Sequence, residues 1–252
     1  MTTDIEKLAD MIAKAQKIVV FTGAGISTES GIPDFRSPGG LWTKYKPIEF
    51  SDFISSVEKR RESWQMKFAS EKVMKSAKPN KGHRAVAELM VLGKLSCVIT
   101  QNVDGLHQLS GIPDEKVIEL HGNATYAKCL DCGKRYEMAE IKELFLKEEI
   151  PPNCDACGGI IKSATISFGQ SMPVNEMQEA EQETLSCDLF IAIGSSLVVY
   201  PAAGFPQIAK QNGSKLVILN RDETGLDGYA DLVLNMEIGD TLSTAVGKIE
   251  NR

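Results

Sequence analysis

The sequence predicts an α/β protein. Its expected core is a doubly wound, Rossmann-like parallel sheet, with a smaller inserted domain made of a helical module and a zinc ribbon. Three observations predict it. Short continuous apolar runs alternate with helical patterns, as in strands buried on both faces. A glycine-rich turn, TGAGIS, follows the first apolar run. Two C-x-x-C pairs then interrupt the alternation in a region of different composition.

Along the chain, Thr3 and Glu6 suit a capping box, and Ile5, Leu8, Ile12 and Ala15 follow at helical spacing. KIVVF (17–21) reads as a buried strand. HRAVAELMVL reads as a helix, SCVITQN and KVIELHG as strands, VNEMQEAEQETL as a helix, and DLFIAIGSS as a strand. PAAGFPQIAKQ is helical, KLVILN and ADLVLN are strands, and DTLSTAVGKIE closes the chain as a helix. Such alternation implies right-handed crossovers in one sheet. Residues 37–80 are helical and polar, and residues 125–163 hold the cysteine pairs; neither fits the rhythm. The expected division is therefore 1–36, 81–124 and 164–252 for the nucleotide-binding domain. The small domain takes 37–80 as its helical part and 125–163 as its zinc-binding part.

A chain of 252 residues with 42% apolar and 25% charged residues is an ordinary globular composition. The net charge of −6 argues against a dedicated nucleic-acid surface. The start, MTTDIEKLADMIAKAQ, lacks the apolar run of a signal peptide. No stretch approaches the roughly 18–20 apolar residues that span a bilayer. A cytoplasmic protein in a reducing compartment is expected.

Cys129-x2-Cys132 and Cys154-x2-Cys157 are separated by 21 residues. Turns of this kind converge four thiolates on one tetrahedral Zn²⁺ and close it to water. Four reduced core cysteines, or a redox pair, are the alternatives, and the polar flanking residues favour the metal. Cys97 and Cys187 lie beside apolar strands and read as packing residues.

At the glycine turn, Gly23 and Gly25 let the backbone approach a ligand, and the following helix start offers N–H groups to a phosphate. An ordinary glycine turn is the other reading. Arg36 is close enough in sequence to fold over a pyrophosphate. Gly194, Ser195 and Ser196 end a second strand, and Asn220 ends a third, suited to a ribose. All three loops fall on the carboxyl side of the sheet, where open α/β sheets bind ligands. The hydride-transfer fingerprint is incomplete: Thr28 stands where its third glycine belongs, and no acidic strand end follows about 20 residues later. Gln101, Asn102 and Asp104 follow another strand, and His121 ends one more. A neutral imidazole there could act as a general base; a satisfied structural histidine is the competing reading. Of the three histidines, His83 reads as a solvated or capping residue and His107 as a brace for its own loop.

GAGIS (23–27), GIPDFR (31–36), TQNVDGLH (100–107), HG (121–122), the paired C-x-x-C, FG (168–169), GSSL (194–197) and LN (219–220) come in this order. Together they resemble a sirtuin of the compact bacterial and archaeal type. The resemblance implies an NAD-dependent protein lysine deacylase in which NAD is cut rather than reduced. Nicotinamide leaves, the acyl oxygen attacks C1′ of the ribose, and free lysine and O-acyl-ADP-ribose result. It implies His121 as base, Asn102 at the nicotinamide ribose, and Asp104 and Val103 lining the nicotinamide pocket. Phe35 would cover the reacting centre, with Asp34 and Arg36 arriving beside it. Gly23, Ala24, Gly25, Thr28, Arg36 and Gln101 would hold the diphosphate and riboses. Gly194, Ser195, Ser196, Asn220 and Ile238 would hold the adenosine half. Phe168-Gly169 and Val198-Val199 would sandwich an acyl-lysine peptide as an added strand. Gln170, Ser195 and Val103 stand where the family often has Glu, Thr and Ile. No Tyr-x-x-Arg pair of the kind associated with acidic acyl groups is present in the helical insertion. Trp64, Met66 and Phe68 form either an apolar acyl mouth or plain core. A monomer without membrane attachment is expected. The rival functions are a mono-ADP-ribosyltransferase on the same fold and a non-catalytic NAD-binding interaction module.

Overall fold

The computed structural model describes residues 2–34 and 46–250. Helix α1 (Thr2–Lys14) already begins at Thr2, so Thr3 lies inside it rather than capping it. Strand β1 (Ile18–Thr22) leads into a 3-10 helix, Ala24–Ser30, not a regular α-helix. Helices α2 (Phe50–Ser55), α3 (Val57–Ser76) and α4 (Lys81–Val91) follow. The Ser56 side chain caps α3 by accepting from the Lys59 N–H. Next come β2 (Leu95–Thr100), the short helix α5 (Leu106–Leu109) and β3 (Val117–Glu119). The cysteine region supplies β4 (Gly122–Cys129), β5 (Arg135–Glu137), α6 (Met138–Glu148) and β6 (Ile161–Thr165). The chain finishes with α7 (Val174–Ser186), β7 (Leu189–Ile193), α8 (Phe205–Gln211), β8 (Lys215–Leu219), β9 (Leu232–Leu234) and α9 (Ile238–Glu250).

Six strands form one parallel sheet in the order β3-β2-β1-β7-β8-β9. Its strands bury both faces, which is why they read as unbroken apolar runs. Ile18 and Val20 of β1 face a core with α1, α4 and α9, through Leu8, Ile12, Val86, Leu89 and Leu242. Val19 and Phe21 face the opposite core, with Ala180 of α7 and Phe205 and Ala209 of α8. The order reverses direction at β1, with β2 on one side and β7 on the other. That reversal opens a crevice at the carboxyl ends of the strands.

A second, antiparallel sheet has the order β5-β4-β6. Its core joins Ala127, Cys129, Tyr136, Ile141, Phe145 and Ile161 to Trp64 of α3. Trp64 is 2% exposed and stacks on Phe68 at 5.6 Å, and Phe68 in turn meets Phe145 at 5.6 Å. The helical insertion and the cysteine region thus share one core, and Trp64 and Phe68 take the core reading. An apolar acyl mouth does not follow from them. Among the described residues no helix is long and apolar enough to cross a membrane.

Candidate active site and metal centre

The loops after β1 and β7 touch. Gly25 N–H donates to the Gly194 carbonyl at 2.8 Å, and Gly23 N–H to the Ile193 carbonyl at 3.0 Å. A Cβ on Gly23 would stand 2.7 Å from the Gly194 oxygen, and one on Gly25 2.7 Å from the Gly194 Cα. Gly194 has φ +62, and a Cβ there would meet the Ile26 nitrogen at 2.3 Å. These glycines are needed because two backbones cross here with no room between them. The expected N–H-presenting α-helix is replaced by the 3-10 segment. Thr28 Oγ1 donates back to the Gly25 carbonyl at 2.9 Å and competes with regular helix.

A polar network forms the floor. Ser27 Oγ donates to Asp104 Oδ2 at 2.7 Å, and Leu106 N–H donates to Asp104 Oδ1 at 2.9 Å. Asn102 Nδ2 donates to the Gly23 carbonyl at 3.1 Å and to Ser27 Oγ at 3.3 Å. Burial pushes the Asp104 carboxyl above its ordinary range, and its two donors partly offset the shift. Gln101 spans the site. Its Nε2 donates to Ser195 Oγ at 2.8 Å, while its carbonyl lies 3.1 Å from His121 Nδ1. A carbonyl only accepts, so Nδ1 carries the proton and Nε2 is the lone-pair nitrogen. Burial lowers the His121 pKa, and the bond to Gln101 opposes that in part. Gly122 follows at φ +70, where a Cβ would collide with the Ala164 carbonyl at 2.0 Å. The His121 carbonyl accepts from Ile166 N–H at 2.8 Å. The ring and the backbone of His121 are therefore each anchored by a separate hydrogen bond. Val103 is tied in by its carbonyl, which accepts from Ala124 N–H at 2.8 Å.

The other two histidines are fully buried. His83 is 0% exposed and closes the capping box of α4 with Asn80; the solvated alternative is excluded. His107 is 1% exposed and lies 2.9 Å from Thr22 Oγ1.

At the far end, Gly25, Thr28, Asp34, Asn220 and Ile238 line one cleft. Asn220 closes its own turn, with Nδ2 donating to the Asp222 carbonyl at 2.8 Å. Arg221 and Glu237 also line this cleft and form a two-point ion pair at 3.1 and 3.0 Å. Glu29 accepts from Gly239 N–H at 2.8 Å. Sequence reasoning missed these three, because nothing in sequence marks Arg221 and Glu237 as an ion pair or Glu29 as the acceptor for a backbone N–H so far along the chain. Ala24 opens the 3-10 helix, Ser195 is buried, and Ser196 is exposed beside it. Phe35 and Arg36 lie outside the described residues.

On the other flank, β6 is an edge strand. Beyond it Phe168 is 42% exposed, with its carbonyl accepting from Phe50 N–H at 2.9 Å, and Gly169 has φ +76. Gln170 closes this turn on Ser167, with Oε1 accepting from Ser167 N–H at 3.1 Å. Val198 is 55% exposed and Val199 half-buried. They follow Leu197, a non-glycine residue at φ +55.

The sulfurs of Cys129, Cys132, Cys154 and Cys157 lie within 4.8 Å of one another. Cys129–Cys157 and Cys132–Cys154 are 3.5 and 3.6 Å apart. A tetrahedron with Zn–S of about 2.3 Å has edges of about 3.8 Å, so the donor set fits zinc. Tyr136 Oη reaches Cys154 Sγ at 3.0 Å and also the Asp155 carboxylate, giving the site an outer layer. Four thiolates leave no open position, so the metal is structural.

The fold and site define a class: an α/β enzyme with a dinucleotide crevice at a topological switch point and an inserted four-cysteine metal ribbon. Comparison with known proteins narrows it. The Sir2 family model matches residues 23–201. An NAD-dependent protein deacetylase of Rhodopseudomonas palustris is 54% identical over 247 residues, covering 98% of both chains. One from Bradyrhizobium diazoefficiens is 56% identical, covering 98% of this chain and 97% of that one. A Sir2 enzyme structure matches with TM-score 0.86 and 41% identity, covering 100% of this chain and 99% of that one. A Sir2 complex with p53 peptide and NAD⁺ matches with TM-score 0.85 and 37% identity, covering 98% and 99%. The chain belongs to the Sir2 family. It is an NAD-dependent protein deacylase, with NAD as co-substrate and a zinc-type cysteine cluster.

Proposed function

We propose that His121 is the general base of this deacylase and that Asn102 positions the nicotinamide ribose. The observation that carries the reading is the His121–Gln101 contact, which leaves Nε2 as the lone-pair nitrogen of a neutral ring. As nicotinamide departs from C1′ and the acyl oxygen attacks, an O-alkylimidate forms. His121 Nε2 then takes the proton of a ribose hydroxyl, which attacks the imidate carbon. Asp104 acts with Val103 at the nicotinamide end, and it orients Asn102 through Ser27. Gly23, Ala24, Gly25, Thr28, Asp34 and Gln101 hold the diphosphate and riboses; the roles that the family resemblance gives Arg36 at the diphosphate and Phe35 at the reacting centre concern residues outside the described ones. Gly194, Ser195, Ser196, Asn220 and Ile238 hold the adenosine half; Asn220 and Ile238 share a cleft with Gly25, and Gly23 and Gly25 cross Gly194 and Ser195, which supports this.

The peptide adds as a strand between Phe168-Gly169 and Val198-Val199, next to an open sheet edge. Residues 37–80 and 125–163 act as one small domain beside the nucleotide-binding remainder, a division supported by their shared core. The enzyme works as a cytoplasmic monomer. Incubation with NAD⁺ and an acetyl-lysine peptide tests the reading. Equal yields of nicotinamide and O-acetyl-ADP-ribose support it. ADP-ribose attached to protein would point to a transferase, and NAD⁺ binding without turnover to an interaction module.

A further inference from the structure

Beneath the candidate site lie two imidazoles whose chemistry is unfinished. His83 and His107 are 0% and 1% exposed, and their rings are 5.1 Å apart. His83 Nε2 and His107 Nδ1 are both buried without a hydrogen-bond partner. An unmade bond at a buried polar atom is costly, so such a pair calls for an explanation.

The surrounding bonds fix which nitrogen holds each proton. Asn80 N–H points at His83 Nδ1 at 3.4 Å, so Nδ1 accepts and Nε2 carries the proton. Thr22 Oγ1 donates to Thr100 Oγ1 at 2.8 Å, which leaves Thr22 to accept from His107 Nε2–H at 2.9 Å. His107 Nδ1 is therefore a bare acceptor, and the two orphans are complementary. The ring centroids stand 5.1 Å apart, close enough for the two nitrogens, unbonded in the structure, to be joined directly or through one water. Burial holds His83 down to about 4 and His107 down to about 3, so both rings are neutral in the working range.

We propose that His83 Nε2–H donates to His107 Nδ1, directly or through one water, and that this pair positions the catalytic loops. The chain of bonds then runs in one direction, from His83 through His107 and Thr22 to Thr100. Thr100 Oγ1 also accepts the Asn102 N–H at 3.0 Å, so the chain ends on the backbone of the proposed ribose-positioning residue. At its other end, Asn80 Nδ2 donates to the Ile26 carbonyl at 2.6 Å and to Ser30 Oγ at 3.0 Å. The histidine pair thus couples the 3-10 segment after β1 to the Asn102 turn after β2. Both histidines are positioning residues; neither touches substrate. The inference rests on the proposed role of Asn102.

Two measurements test it. With three histidines in the chain, ¹⁵N-resolved NMR of the imidazoles in the intact enzyme is readily assigned. Nε2–H tautomers for both His83 and His107, with the His83 proton protected from exchange, are expected. A proton on His107 Nδ1, or a rapidly exchanging His83 N–H, overturns the pair whatever the activity. The second compares His107→Leu with His107→Gln, whose amide can still donate to Thr22. His107→Leu should lose about tenfold or more in kcat, with the KM for acyl-peptide nearly unchanged. His107→Gln should recover most of that loss. Equal kcat in the folded fraction of all three proteins overturns the positioning role while leaving the Asn102 reading intact, because that reading is checked separately by product analysis.

Discussion

His121 Nδ1 lies 3.1 Å from the carbonyl oxygen of Gln101, the residue whose side chain also holds Ser195. One residue thereby sets the tautomer of the base and ties it to the loop after β7. Burial lowers the His121 pKa from 6.5, so the ring stays neutral to more acid pH than an exposed histidine. The acid limb of the kcat/KM–pH profile should therefore have its midpoint below 6.5. The stability linkage has the matching sign. Stability from the neutral ring is complete above the unfolded value and is lost as pH falls through the lowered folded value. A midpoint at or above 6.5 would remove His121 from that limb.

The glycine crossing separates two substitutions of equal backbone strain. Gly105 and Gly194 both have positive φ, +72 and +62. An added Cβ meets only Thr125 Cγ2 at 3.7 Å at Gly105, but the Ile26 nitrogen at 2.3 Å at Gly194. Gly194→Ala should cost about 1–3 kcal/mol more than Gly105→Ala and weaken NAD⁺ binding as the loops part. Thermal melting and calorimetric titration check both.

Burial disfavours the charged form of Asp104. Its carboxyl is raised by burial, so the stability it contributes is present below the unfolded value of 3.8 and lost as pH rises through the folded value. Asp104→Asn should raise the melting temperature at pH 7 while lowering turnover, because Ser27 loses the carboxylate that fixes it and, through it, Asn102. Lower melting together with full activity would contradict this.

The cysteine cluster should bind one zinc per chain. Chelation should lower the melting temperature, and zinc should restore it, because Cys129 and Cys154 belong to the core that also holds Trp64 and Phe145. Cys154→Ser should do the same without a chelator. Unchanged melting after complete metal removal would refute a structural role.

Much of this was legible in the sequence. Strands buried on both faces leave continuous apolar runs, so KIVVF and DLFIAIG announced the sheet. The cysteine spacing announced the metal cluster. The glycines were legible as glycines but not in their full reason: Gly23 and Gly25 are small because Gly194 lies against them, a contact that only the folded sheet creates. His83, at the start of a polar helix, reads as solvated or capping; the capping reading holds, while its full burial against His107 is visible only in the fold. Trp64 resisted assignment because its helix α3 is largely polar. Its apolar partners lie in the cysteine region, far along the chain. Arg221 and Glu237 meet only because β8 and β9 are neighbours.

The most direct test is His121→Ala, assayed with NAD⁺, acetyl-lysine peptide and labelled nicotinamide. If the base acts after the C1′–nicotinamide bond breaks, label should still exchange into NAD⁺. Release of free lysine should fall by about 10²–10⁴-fold. Wild-type rates of deacetylation in a folded variant, or loss of exchange together with deacetylation, would contradict the account.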